Sequence, residues 1–113
     1  MASTAGALAG DVPSLARWAH ELFTGEVISA DSLHEMAHFH DGGNWEAYGL
    51  GLARSLDGDD ELWGHGGDGL GNATELWHLP RENLTVAVTW NDDLIGSEGG
   101  FFPALLHAAI GPE

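Results

Sequence analysis

Leu84 to Trp90 reads Leu-Thr-Val-Ala-Val-Thr-Trp, an uncharged run rich in β-branched residues. Side chains branched at Cβ are stiff and crowd a helix, but they stand well on a pleated surface. A strand on its own leaves its peptide N–H and C=O groups unpaired, so this run commits the chain to a sheet. Just before it, Pro80-Arg81-Glu82-Asn83 forms a turn, and Ala73 to Leu79 a preceding strand. Four residues between two strands bring them back antiparallel.

The remaining elements follow from the same reading. Asp11 is a candidate N-cap with Pro13 just inside a helix, and Val12, Leu15, Ala16, Ala19, Leu22 and Phe23 recur at helical spacing until Gly25. A second helix is expected from Ser29 or Asp31 to about His40, stopped by Gly42-Gly43. Trp45 to Leu56 looks like a strand, Asp57-Gly58-Asp59-Asp60 like a turn and Glu61 to His65 like a short strand. Gly64-His65-Gly66-Gly67-Asp68-Gly69 reads as a glycine-rich loop, Asn91-Asp92-Asp93 as a turn and Phe101 to Ile110 as a closing helix. Residues 1–10 are small and expected to pack loosely. The order implies one α+β domain over residues 1–113: an antiparallel sheet of three to four strands, with two N-terminal helices and a C-terminal helix on it.

Charge narrows the partners. The chain has 18 Asp and Glu against three Arg and no lysine, a net charge of −15. That field repels phosphate backbones and anionic lipid, which argues against nucleic-acid and membrane partners. It attracts divalent cations, although solubility alone accounts for such acidity. With no cysteine there is no disulfide and no thiolate metal site, so a metal would have to sit on His, Asp and Glu. No apolar run reaches the length of a membrane span, and the first residues lack the basic start of a signal peptide; a cytoplasmic protein is the expectation.

His34-Glu35-Met36-Ala37-His38-Phe39-His40-Asp41 gathers three of the seven histidines, and its first five letters are H-E-x-x-H. On a helix this spacing sets two imidazoles one turn apart with a carboxylate nearby, as a zinc hydrolase requires. At about 100° per residue, His34, His38 and Asp41 share a stripe, while Leu33, Met36, Ala37 and His40 lie beside it. His34 and His38 are the leading candidate metal ligands, and Asp41 joins them only if the helix continues through its last turn. His40 is a further candidate on the core or interface side. Glu35, which points away from both stripes, is the general base by analogy with zincins. The competing reading is a solvated helix face on which the match is accidental, since no downstream third ligand of the zincin type follows. Among the other histidines, His20 suits core or rim packing, and His78 and His107 suit structural or exposed positions.

Ser3-Thr4-Ala5-Gly6 through Arg17-Trp18, then Tyr48-Gly49-Leu50-Gly51, Gly64-His65-Gly66-Gly67, Leu79-Pro80-Arg81-Glu82 and Leu84 to Asn91 follow one another in a distinctive order. Together they resemble the C-terminal part of the serine β-lactamase and D-alanyl-D-alanine carboxypeptidase-like family, in its class C-like branch. The resemblance spans nearly the whole chain but only the last third of that family's domain. It implies that His65-Gly66-Gly67 stands for the third catalytic motif, elsewhere Lys-Thr-Gly, which holds substrate beside the nucleophile. Ser-x-x-Lys is impossible without lysine, and Tyr48 is followed by Gly-Leu instead of x-Asn. Serine β-lactamase chemistry is therefore not expected of this chain. The resemblance also implies a sheet with an unpaired edge and uncovered apolar surface, for which a homodimer or higher oligomer is the simplest remedy.

Two functional expectations follow. The first is a metal-dependent hydrolase in which zinc, or a similar divalent ion, activates water toward a small ester, amide or phosphoester substrate. The alternative is a catalytically inactive β-lactamase-like remnant that binds a ligand near His65 or serves assembly, including the completion of a partner chain that supplies Ser-x-x-Lys.

Overall fold

The computed structural model describes residues 6–69, 71–92 and 101–111. The loose start expected over residues 1–10 and the turn at Asn91-Asp92-Asp93 fall partly outside them. Helix α1 covers Val12–Phe23. Asp11 Oδ1 accepts the Ser14 N–H at 2.8 Å, satisfying one of the free amides of the first turn. At the other end the Thr24 N–H donates to the His20 carbonyl at 3.0 Å, and the Thr24 hydroxyl donates to the same oxygen at 2.7 Å.

Helix α2 covers only Ala30–Met36, capped by Ser29, whose hydroxyl accepts the Ser32 N–H at 3.1 Å. It does not continue to His40 as the sequence suggested. The Leu50 N–H takes the Met36 carbonyl at 3.0 Å, and His40, Asp41 and Gly42 are drawn into a strand, β1 (His40–Gly42). Pairing with β2 (Trp45–Tyr48), His40 opposite Tyr48 and Asp41 opposite Ala47, has replaced the last helical turn.

The expected single strand over Trp45 to Leu56 is two. After β2 the chain turns, with the Gly49 N–H on the Leu52 carbonyl at 2.7 Å, and returns as β3 (Ala53–Asp57). Strand β4 runs from Asp60 to Asp68, through glycines that read as a loop, and β5 (Ala73–Leu79) and β6 (Leu84–Trp90) follow. Helix α3 covers Phe101–Ile110. The sheet among the described residues thus has six strands, more than the three to four expected, in the order β1-β2-β3-β4-β5-β6 with each neighbouring pair antiparallel. The class is α+β, as expected.

Directly opposed residues on antiparallel strands share a face. One row reads Ala53, Gly64, Trp77, Val86, and its face takes α3. Ala53, Leu62, Trp77, Leu79, Phe102 and Leu106 form the core there, with Leu79 and Leu106 fully enclosed. Burying a leucine side chain contributes about 1.5–3 kcal/mol, so this layer holds α3 in place. The alternate row reads Arg54, Trp63, His78, Thr85, and its face takes α1, which lies on β5 and β6. Ala19 and Leu22 are buried in that contact, and Phe23 stacks on His78 at 5.1 Å between ring centres.

Candidate functional site

The sheet is uneven along β4. Pairing with β3 ends where Ala53 meets Gly64, but pairing with β5 continues through Asp68 opposite Ala73. Among the described residues, His65–Asp68 therefore have a ladder partner on one side only. The other side presents a short row of peptide N–H and C=O groups, which is a template for an added extended chain.

His65 opens this row and is exposed. Its Nδ1 contacts the Gly66 carbonyl. A carbonyl only accepts, so Nδ1 carries a hydrogen. In the neutral ring Nε2 is then the acceptor, and Tyr48 Oη lies 2.9 Å away to donate. The Trp45 and Tyr48 rings each sit 5.6 Å from the imidazole. Three neighbours thus fix one side chain beside an open strand edge.

Gly66 lies close against what is behind it. A Cβ there would stand 3.0 Å from Glu75 Oε1 and 3.1 Å from Oε2, tighter than ordinary contact. Glu75 faces its neighbour on β5's apolar side and is 8% exposed, with Oε2 accepting the Trp77 indole N–H at 2.6 Å. Burial pushes its carboxyl above the usual carboxylate range; the Trp77 indole opposes that, Asp68 adds to it, and His65 pulls it back. At Gly67 a Cβ would meet open space, so the edge there is bare of side chains.

The H-E-x-x-H residues do not assemble. His34 and Glu35 are exposed on α2, whereas His38 lies beyond the helix end, so the two imidazoles are not one helical turn apart. The His38 and His40 rings lie 4.8 Å apart, and Asp41 Oδ1 accepts the Gly43 N–H at 3.2 Å within its own turn. Among the described residues no three His, Asp or Glu are grouped so as to hold a metal ion. The metal-dependent hydrolase is corrected on this ground, together with the zinc centre that Glu35 was to serve. The physical reason is the β1–β2 pairing, which takes His40 and Asp41 out of the helix that the spacing assumed.

Elsewhere the histidines pack the sheet. Thr85 Oγ1 lies 3.0 Å from His20 Nδ1 and 2.8 Å from His78 Nδ1. One hydroxyl can donate to one ring and accept from the other, which fixes two different tautomers. His107 Nε2 reaches Asp57 Oδ2 at 2.9 Å and ties α3 to β3. Sequence reasoning missed Tyr48 as a partner of His65, having set it aside for lacking x-Asn. It missed Glu75 as well, although a carboxylate alternating with Trp77 and Leu79 was a visible break in an apolar face.

The architecture is a truncated β-lactamase-like fold. No protein-family model and no curated protein matches the chain. Among solved structures it is similar to a D-stereospecific amidohydrolase from Streptomyces sp., with a TM-score of 0.74 and 25% identity over 84% of this chain. It is also similar in fold to the D-amino acid amidase from Ochrobactrum anthropi SV3: complexed with L-phenylalanine amide, TM-score 0.65, 24% identity and 74% of this chain. Complexed with D-phenylalanine, the same amidase gives a TM-score of 0.61, 25% identity and 70% of this chain. The chain spans 29%, 25% and 28% of those three chains. These neighbours are amide hydrolases of the β-lactamase-like group, not metal-dependent hydrolases, and they too count against the metal reading. No helix among the described residues is long and apolar enough to cross a membrane.

Proposed function

We propose that this chain is the substrate-binding sheet of an amide hydrolase that acts on D-amino-acid amides. The substrate would lie along the overhanging edge of β4, His65-Gly66-Gly67-Asp68. The observation that carries this reading is that overhang: a strand edge with one open side, two glycines and a tethered imidazole at its head. The carboxamide of an amino-acid amide offers N–H donors and a C=O acceptor to such an edge, and two hydrogen bonds to a strand fix its direction. Inverting Cα then exchanges the side chain and the amino group between the two sides of the strand, which gives handedness a physical basis. The Trp45 ring beside His65 offers an apolar wall to a substrate side chain. The similarity to a D-stereospecific amidohydrolase and to a D-amino acid amidase supports the choice of substrate.

The chain itself has no lysine with which to activate a serine in the manner its resemblance implies. It therefore binds without turning over, and the nucleophile of the reaction comes from residues other than these. Titrating D- and L-phenylalanine amide into the isotopically labelled chain tests the reading by backbone amide shifts. We expect shifts at His65 to Asp68, tighter binding of the D form, no ammonia release, and roughly two- to tenfold weaker binding in Tyr48→Phe. Shifts confined to another surface, equal binding of the two enantiomers, or ammonia release by the purified chain would each overturn it.

A further inference from the structure

On the face of the sheet that carries α3, the strands and the helix line a partly open cavity of about 190 Å³. Its walls include Trp45, Trp77, Phe102, Leu62 and Leu106. The Trp45 and Trp77 rings lie 5.5 Å apart and Trp77 and Phe102 6.5 Å apart, so three aromatic side chains meet around one space. Glu75 lines the same space, together with Ser55 and Asp57.

A buried carboxylate ordinarily has a cationic partner. Trp77 gives Glu75 one hydrogen bond, which is neutral. The chain has no lysine, and its three arginines are committed elsewhere: Arg17 to Glu21, Arg54 to Glu61, and Arg81 to Asp60 and Glu82. The positive charge that would match Glu75 is thus absent from the arginine set, while the space beside it is lined by aromatic rings. Indole and phenyl faces attract cations. The volume suits a small molecule, since a dry cavity of about 150 Å³ accommodates benzene.

We propose that this cavity is a binding site for a small organic ammonium with an aromatic or apolar body, its nitrogen at Glu75 and its body among Trp45, Trp77 and Phe102. The site lies behind the β4 edge and shares Trp45 with it, but its ligand and its test do not depend on the amide-hydrolase reading. Glu75 is faced by Asp68 and His65 from β4, by the Trp77 indole on β5, and across the cavity by Asp57 of β3, which His107 of α3 already holds. An ammonium binds the ionised carboxylate, so its affinity rises with pH until Glu75 is fully ionised and then levels off. Binding below that point expels a proton.

The test uses the full chain and three probes of one shape: phenethylammonium, 2-phenylethanol and 3-phenylpropionate. Calorimetry and the indole N–H signals of Trp45 and Trp77 report binding. The ammonium should bind about tenfold more tightly than the alcohol, the anion should not bind, and the Trp77 indole signal should move. In Glu75→Gln the ammonium should fall to the level of the alcohol, whose own affinity stays unchanged. Equal affinity of ammonium and alcohol for the unaltered chain, a preference that survives Glu75→Gln, or silent Trp45 and Trp77 signals would overturn the proposal. Should Glu75→Gln not fold, a pH series on the unaltered chain decides: the ammonium must tighten with rising pH while the alcohol stays flat, and parallel curves overturn the assignment.

Discussion

Single residues on β4 are constrained more by backbone neighbours than by side chains. A Cβ at Gly64 would overlap the Leu76 carbonyl, which belongs to the paired strand and cannot move without breaking the ladder. Gly64→Ala should therefore cost about 1–3 kcal/mol, read as a lower urea midpoint. An unchanged midpoint would show that β4 and β5 can separate locally at no cost. Gly66 is constrained differently, since its neighbour is the end of the Glu75 side chain, which can swing away. Glycine has no pattern of its own in a sequence. That is why the stretch from Gly64 to Gly69 read as a loop, although most of it is strand.

At the level of elements, α1 rests on β5 and β6 through His20, Thr85 and His78. Burial and, after it, the nearby His20 hold the His78 ring below its ordinary value, so the folded chain resists a proton that the unfolded chain accepts. Unfolding therefore takes up a proton, and this contribution to stability, complete above about 6.5, is lost as pH falls toward the lower folded value. Between pH 7.5 and 5.5 the urea midpoint should drop further for the unaltered chain than for His78→Gln, which retains a hydrogen-bonding side chain without the titration. Equal drops would remove His78 as the cause. Caps and apolar periodicity made α1, β5, β6 and α3 legible from the letters, because local preference and tertiary packing agree there. They disagree after Met36. The helical spacing continues on paper through His40, but the pairing of β1 with β2 outweighs one turn of helix. The H-E-x-x-H reading failed for that reason. His65, Gly66 and Gly67 enter as candidates through the order of motifs along the chain, not through any periodicity, and Glu75 went unnoticed because its burial depends on contacts made in three dimensions.

For the whole molecule, charge and apolar exposure act against each other. Trp18 is 50% exposed and Leu50 68%, with Val27 and Leu56 also presented to solvent. Such surface favours the self-association expected from the sequence, while a net charge of −15 opposes it. Salt screens the repulsion and leaves the apolar attraction intact. Sedimentation should accordingly show a homodimer whose population grows from low to physiological salt; a monomer at every salt concentration would end that expectation. Each strand of the sheet lies beside the one made just before it, joined by turns such as Gly49–Leu52 and Pro80–Asn83. Short turns close at little entropic cost, so pairing can spread outward from a single hairpin without waiting for distant parts of the chain. The sheet is in this sense self-starting: its register can be settled strand by strand during synthesis, before any substrate, ammonium or second copy is present to be bound.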